Sequence, residues 1–168
     1  ICGGEAESQD ECDFVLYFNG VSNFVDLTNT TIAMWGNSPR TISARVKTSG
    51  NNISGSYDAM KIISTGTAAS FQAFNVLINP LGVINVMGYS ADYYPTTGYN
   101  VNNEEWNHIT VTFDGTTLKI YVNGELDNES TTFEIANGNA DIVYNTIGQF
   151  NYIGKSNHAS QLNIKRRL

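Results

Sequence analysis

Glu125, Asp127 and Glu129 are the residues of this chain best spaced to do chemistry. On an extended strand, side chains alternate between faces, so the three carboxylates would share one face, about 6.5–7 Å apart in succession. A nucleophile and a proton donor so placed could straddle a glycosidic bond. Three features of the sequence count against that chemistry. The motif follows directly on the turn signal Asn123-Gly124, which puts it at a rim. Its neighbours Asn128 and Ser130 are polar, whereas acid–base work needs surroundings that push two carboxyl pKa values apart. Asn128-Glu129-Ser130 is also an N-glycosylation sequon, which implies solvent exposure. A solvated acidic edge is the better reading, and no catalytic residue is assigned.

The second group is aromatic. Tyr89, Tyr93, Tyr94 and Tyr99 gather around the polar stretch 90–103, and Trp35 stands in another loop. Aromatic faces stack on sugars and supply contact area in interfaces, which makes these five the candidate ligand-binding set. Each also has an ordinary use in the core or rim of a β-sandwich. Cys2 and Cys12 are the only cysteines, and with the distant His108 and His158 they make no metal-ligand set. In an oxidising compartment they would close a short disulfide loop; the other reading is two free thiols. Further sequons at Asn29 and Asn52 join Asn128, and all three fall between strand signals, where glycans would have to sit. No Ser/His/Asp or Cys/His arrangement and no phosphate-cradling glycine loop is present.

At 168 residues the chain has the length of one domain with a substantial core. A net charge of −7 argues against nucleic acid or anionic membrane as a partner. No apolar run approaches the roughly 18 residues that membrane insertion needs. The chain begins at Ile1, consistent either with a removed signal peptide or with a trimmed fragment.

The elements that must position these groups read as strands. Ile109, Val111 and Phe113 alternate with Thr110 and Thr112, and Leu118, Ile120 and Val122 alternate with Lys119 and Tyr121. Asp114-Gly115-Thr116-Thr117 supplies a turn between them, and Asn123-Gly124 a second. This antiparallel meander puts His108 on the wet face. Further strands are expected at 14–18, 24–27, 41–47, 60–64, 71–78, 83–87, 133–135, 142–144 and 152–154. Thr48 to Asp58 and Ser90 to Asn103 read as loops at one end. With no helical apolar stripe anywhere, the fold expected is all-β: a two-sheet antiparallel β-sandwich.

The string from Trp106 to Leu126, W-N-H-I-T-V-T-F-D-G-T-T-L-K-I-Y-V-N-G-E-L, resembles the central hairpin of laminin-G-like (concanavalin A-like) jelly-roll domains. Leu16 to Leu27 is similar to their opening strand and loop, and Thr41 to Lys47 to their T-I-S-A-x-V-K strand. The resemblance spans Phe14 to Lys155 and divides the chain into an acidic lead-in, 1–13, and a laminin-G-like domain, 14–168. It implies the concanavalin A-like jelly roll, and a scaffold shared by lectins, adhesion modules, hydrolases and structural proteins. The resemblance also implies that Trp106, at the start of the central strand, is core.

Retaining hydrolases on this scaffold carry the E-x-D-x-E form of Glu125 to Glu129, flanked by hydrophobic residues that are absent here. Relatives also hold a structural Ca²⁺ in the loop after the opening strand. The matching positions are Asn19, Ser22 and Asn23, with Asp26 further on, and calcium binding weakens as ligand charge is removed. No cofactor is required, and structural calcium is the single candidate.

Relatives close with a longer strand beside the opening one, of which only Leu162 and Ile164 suggest a beginning. Three explanations stay open: a truncated sequence, replacement by the N-terminal segment, or donation of the strand by a neighbouring molecule. The expected function is a non-catalytic, secreted glycoprotein module that binds glycans or extracellular proteins. The alternative is a structural subunit that assembles head to tail into a fibre by strand addition; a glycoside hydrolase comes third.

Overall fold

The computed structural model describes residues 14–19, 24–26, 36–49, 60–66, 69–135, 145–147 and 161–166, and among them there is no helix. The strands are β1 (Phe14–Asn19), β2 (Val25–Asp26), β3 (Arg40–Lys47), β4 (Met60–Thr65), β5 (Asn75–Ile78) and β6 (Ile84–Met87). They continue with β7 (Asn107–Phe113), β8 (Leu118–Val122), β9 (Glu125–Ser130), β10 (Asn145–Ile147) and β11 (Gln161–Arg166). One sheet has the order β1-β11-β3-β7-β8-β9 and the other β2-β10-β4-β5-β6, with every pairing antiparallel.

The meander organises the six-stranded sheet as its alternation requires. Ile109 pairs with Val122, Val111 with Ile120 and Phe113 with Leu118, and all six are buried. Facing them from the other sheet are Met60, Ile62, Val76, Ile78, Ile84 and Val86, in the same hydrophobic cluster. Each such side chain contributes about 1.5–3 kcal/mol on burial. His108 is exposed, as its place in the alternation demands. Trp106 is not a core residue. It precedes β7, outside the paired alternation, and is only half-buried.

Both turns of the meander rest on side-chain chemistry. At Asn123-Gly124 the φ angles are 53° and 90°, the left-handed pair that a two-residue hairpin needs. At the β7–β8 turn, Asp114 Oδ1 accepts from Thr117 N at 2.7 Å, Thr116 N at 2.9 Å and Thr116 Oγ1 at 2.9 Å. Those bonds, first the one from Thr117 N, hold the Asp114 carboxyl below its ordinary pKa. A lowered pKa stabilises the fold above the unfolded value, about 3.9, and the gain fades as pH falls through the lower folded value. Asp114→Ala is therefore expected to melt a few degrees below the wild type at neutral pH. Thermal melts from pH 7 to pH 2 should show that gap narrowing only below about pH 4.

Four expectations need correction. The strand expected at 71–78 begins only at Asn75, because Phe71 has a φ of 60° and cannot continue an extended backbone. The segment 133–135 pairs with no strand, yet Phe133 and Ile135 are buried, so it enters the core as irregular chain. The expected gap beside the opening strand is filled. β11 pairs with β1 from Phe14↔Arg166 to Asn19↔Gln161 and with β3 from Asn163↔Lys47 to Lys165↔Arg45. Six residues paired with β1, three of them also paired with β3, make a strand in the place where a gap was expected. Finally, 90–103 is not an end loop, as described below. The segments 142–144 and 152–154 lie outside the described residues.

Candidate functional site

From Gly88 the chain runs back along the flank of the sandwich where both sheets have an edge, β6 and β9. Val86 and Tyr93 exchange backbone bonds of 3.0 and 2.8 Å, and Val101 N donates to Gly82 O at 3.0 Å. On the β9 side, Tyr93 OH donates to Glu129 O at 2.8 Å, Asn128 Nδ2 to Thr97 O at 3.1 Å, and Tyr99 N to Asp127 Oδ1 at 2.7 Å. The strap ends across the sandwich, where Glu104 N donates to Thr48 O. Its register is antiparallel to both edges and stitches them together, satisfying backbone groups that a bare edge would leave open. Gly98 is wedged at the centre. A Cβ there would lie 2.8 Å from Asn128 Nδ2, 2.8 Å from Asp127 Oδ2 and 2.9 Å from Val83 Cγ1.

This use of the strap divides the tyrosines. Tyr93 packs on the core, and burial, with Asp127 and Glu129 adding to it, pushes its phenol pKa up, so it stays a donor. Tyr89 packs instead against Leu77 and Met87. Only Tyr94 and Tyr99 remain exposed, so the four do not form one platform. Asn128 Nδ2, the atom that would carry a glycan, also donates to Asp127 Oδ2 at 2.9 Å and lies under Gly98. A glycan there would replace one of the two N–H groups by which Asn128 bonds to Thr97 O and Asp127 Oδ2. Glycopeptide mapping of the folded protein should find Asn128 bare. Gly98→Ala should cost about 1–3 kcal/mol of local stability and speed amide exchange across 88–103 while β7 and β8 keep their protection.

The carboxylates do not share a face. Ile120 pairs with Asn128 but Tyr121 with Leu126, so Asp127 is the extra residue of a β-bulge. Glu125 lies opposite the core residue Val122, and Glu129 opposite Lys119 on the outer face. The bulge breaks the alternation on which a nucleophile–acid pair would depend. Asp127 serves the strap. Elsewhere Ser43 Oγ lies 2.7 Å from His108 Nε2, a pair that adjacent strands create and sequence distance hides. It sits exposed on a sheet face.

Asn19 ends β1 and Asp26 ends β2, but their side chains, like Asn23, Trp35, Cys2, Cys12, Asn29 and Asn52, lie outside the described residues. Among those described, no group of three or more His, Cys, Asp or Glu could hold a metal ion. No described helix is long and apolar enough to cross a membrane.

A groove of about 470 Å³ opens at the Asp114 end, lined by Asn37, Phe71, Gly115, Thr116, Thr131, Phe133, Glu134 and Ile135. Its floor is aromatic. Phe133 meets Phe74 and Phe113 edge to face, at centroid distances of 5.7 and 5.5 Å. Arg40 stands behind it, 5.4 Å from the Phe74 ring centroid, donating to Gly36 O and to Ser38 O at 3.0 Å. These bonds brace the turn that carries Asn37. Phe71 is held at its positive φ by a 2.6 Å bond from its N to Tyr89 O. The sequence reading missed this groove, since its residues come from separate segments and only Phe71, once its φ is known, stands out.

Two antiparallel sheets packed face to face, a six-stranded one beside a five-stranded one, define a concanavalin A-like β-sandwich. Residues 14–163 match the family described as the concanavalin A-like lectin/glucanases superfamily, and the chain belongs to it. No curated protein matches the sequence. Among solved structures, domains LG4-5 of the mouse laminin alpha1 chain are similar at 10% identity with a TM-score of 0.60; the match covers 89% of this chain and 40% of that one. The CBM40 domain of Ruminococcus gnavus IT-sialidase, bound to alpha2,3 sialyllactose, is similar at 15% identity with a TM-score of 0.61, covering 92% of each chain. The binding domain of botulinum neurotoxin serotype D follows at 19% identity and 0.57, covering 92% of this chain and 38% of that one. These likenesses show the fold.

Proposed function

We propose that this protein is a non-catalytic extracellular recognition module that binds glycans in the groove at the Asp114 end. One observation carries the reading: Phe71, a bulky residue, is held in the left-handed region on the wall of that groove. Phe71 is the third residue of a β-turn closed by Gln72 N donating to Ala69 O at 3.0 Å, a position that favours glycine or asparagine, and strain of the kind a bulky side chain brings there gathers at binding sites. The half-buried ring offers a stacking face, while Asn37, Thr116, Thr131 and Glu134 offer amide, hydroxyl and carboxylate partners for sugar hydroxyls. A catalytic role has no support in β9, whose bulge separates the acids. The sialyllactose bound by the Ruminococcus gnavus domain supports a glycan as the ligand class. A glycan array probed with the folded protein should give hits that Phe71→Ala removes. Hits that survive the substitution would place recognition outside the groove.

A further inference from the structure

We infer that the groove selects uncharged glycans and rejects sialylated or sulfated ones; this rests on the glycan reading above and adds the charge of the ligand. Among the described residues lining it, Glu134 alone is charged, and its side chain is exposed. No described lining residue is a cation. Arg40 does not line the groove; its guanidinium lies over the Phe74 ring and donates to Gly36 O and Ser38 O. Those bonds brace the turn that carries Asn37 and engage the guanidinium within the protein. Asp114, whose carboxylate accepts from Thr116 N, adds a second negative charge in the turn that forms one wall. The chain as a whole carries −7. Lys119, near enough to act on Asp114, offsets part of that second charge but does not line the groove, so an anionic ligand meets the Glu134 carboxylate at close range and a net repulsive field on approach. Asn37, Thr116 and Thr131 are neutral hydrogen-bonding groups suited to hydroxyls.

The test is an array of neutral oligosaccharides paired with their sialylated or sulfated counterparts, read for wild type, Phe71→Ala, Glu134→Gln and Glu134→Lys. Wild type should prefer the neutral member of each bound pair by roughly tenfold at low salt. Glu134→Gln should shrink that ratio, and Glu134→Lys should bring it to about one or below. Glu134 is exposed, so both variants should fold, which circular dichroism checks. Equal or tighter binding of the acidic members, still lost in Phe71→Ala, would overturn the charge selection and leave the glycan reading standing. A ratio unmoved by Glu134→Lys would overturn it too. No hit at all from folded protein would sink both.

Discussion

Phe133→Ala is expected to lower the melting temperature by roughly 10 °C. Truncating a buried Phe costs about 3–5 kcal/mol, and for chains of this size each kcal/mol shifts the midpoint by about 2–4 °C. Phe133 belongs at the upper part of that range for two reasons. Its ring meets both Phe74 and Phe113 edge to face, contacts worth about 0.5–1.5 kcal/mol per pair beyond area. It also comes from an unpaired segment after β9, where no ladder of backbone bonds would hold the chain once the ring is gone. Phe133→Leu should recover much of the loss, because it refills volume without the edge-to-face geometry. Calorimetric melts of the two variants decide this. If Phe133→Ala melts within 2–3 °C of wild type, the aromatic floor is not what anchors this end.

Phe71→Gly should separate stability from binding. At a φ of 60° a side chain costs about 1–2 kcal/mol, which glycine avoids. Against that gain stand the burial lost with a half-exposed ring and the greater freedom of glycine in the unfolded chain, about 0.5–1 kcal/mol. The variant should match wild-type stability within about 1 kcal/mol while losing glycan affinity by about tenfold or more. Phe71→Ala keeps the strain and loses the ring, so it should be the less stable of the two. Denaturant titrations beside isothermal titration with an array hit measure both quantities. A glycine variant that binds like wild type would mean that the ring is not the stacking face.

The sandwich was legible in the sequence because its central strands alternate over five or more residues and carry their own turn chemistry. Ile109, Val111, Phe113, Leu118, Ile120 and Val122 needed only period two and the Asn123-Gly124 turn to be placed in the core. The site was not legible, since binding geometry here arises from contacts between distant segments. Tyr93 reads like Tyr94 in sequence, yet one bonds to Glu129 O and packs on the core while the other is exposed. The bulge at Asp127 is a matter of register, which alternation alone cannot reveal, and it undid the shared face of the three acids. Phe71 looked like the first residue of a strand until its φ ended that strand. Leu162 and Ile164 mark a real strand, β11, though the residues after them depart from the pattern of the relatives.

The strap that closes the flank at β6 and β9 also limits how copies could pair. A lattice of such sandwiches propagating by backbone pairing needs two receptive sides per molecule, one to accept and one to offer. The strap takes up Val86 N and O at β6 and Glu129 O at β9, so a neighbour's strand could pair along β6 only by displacing it.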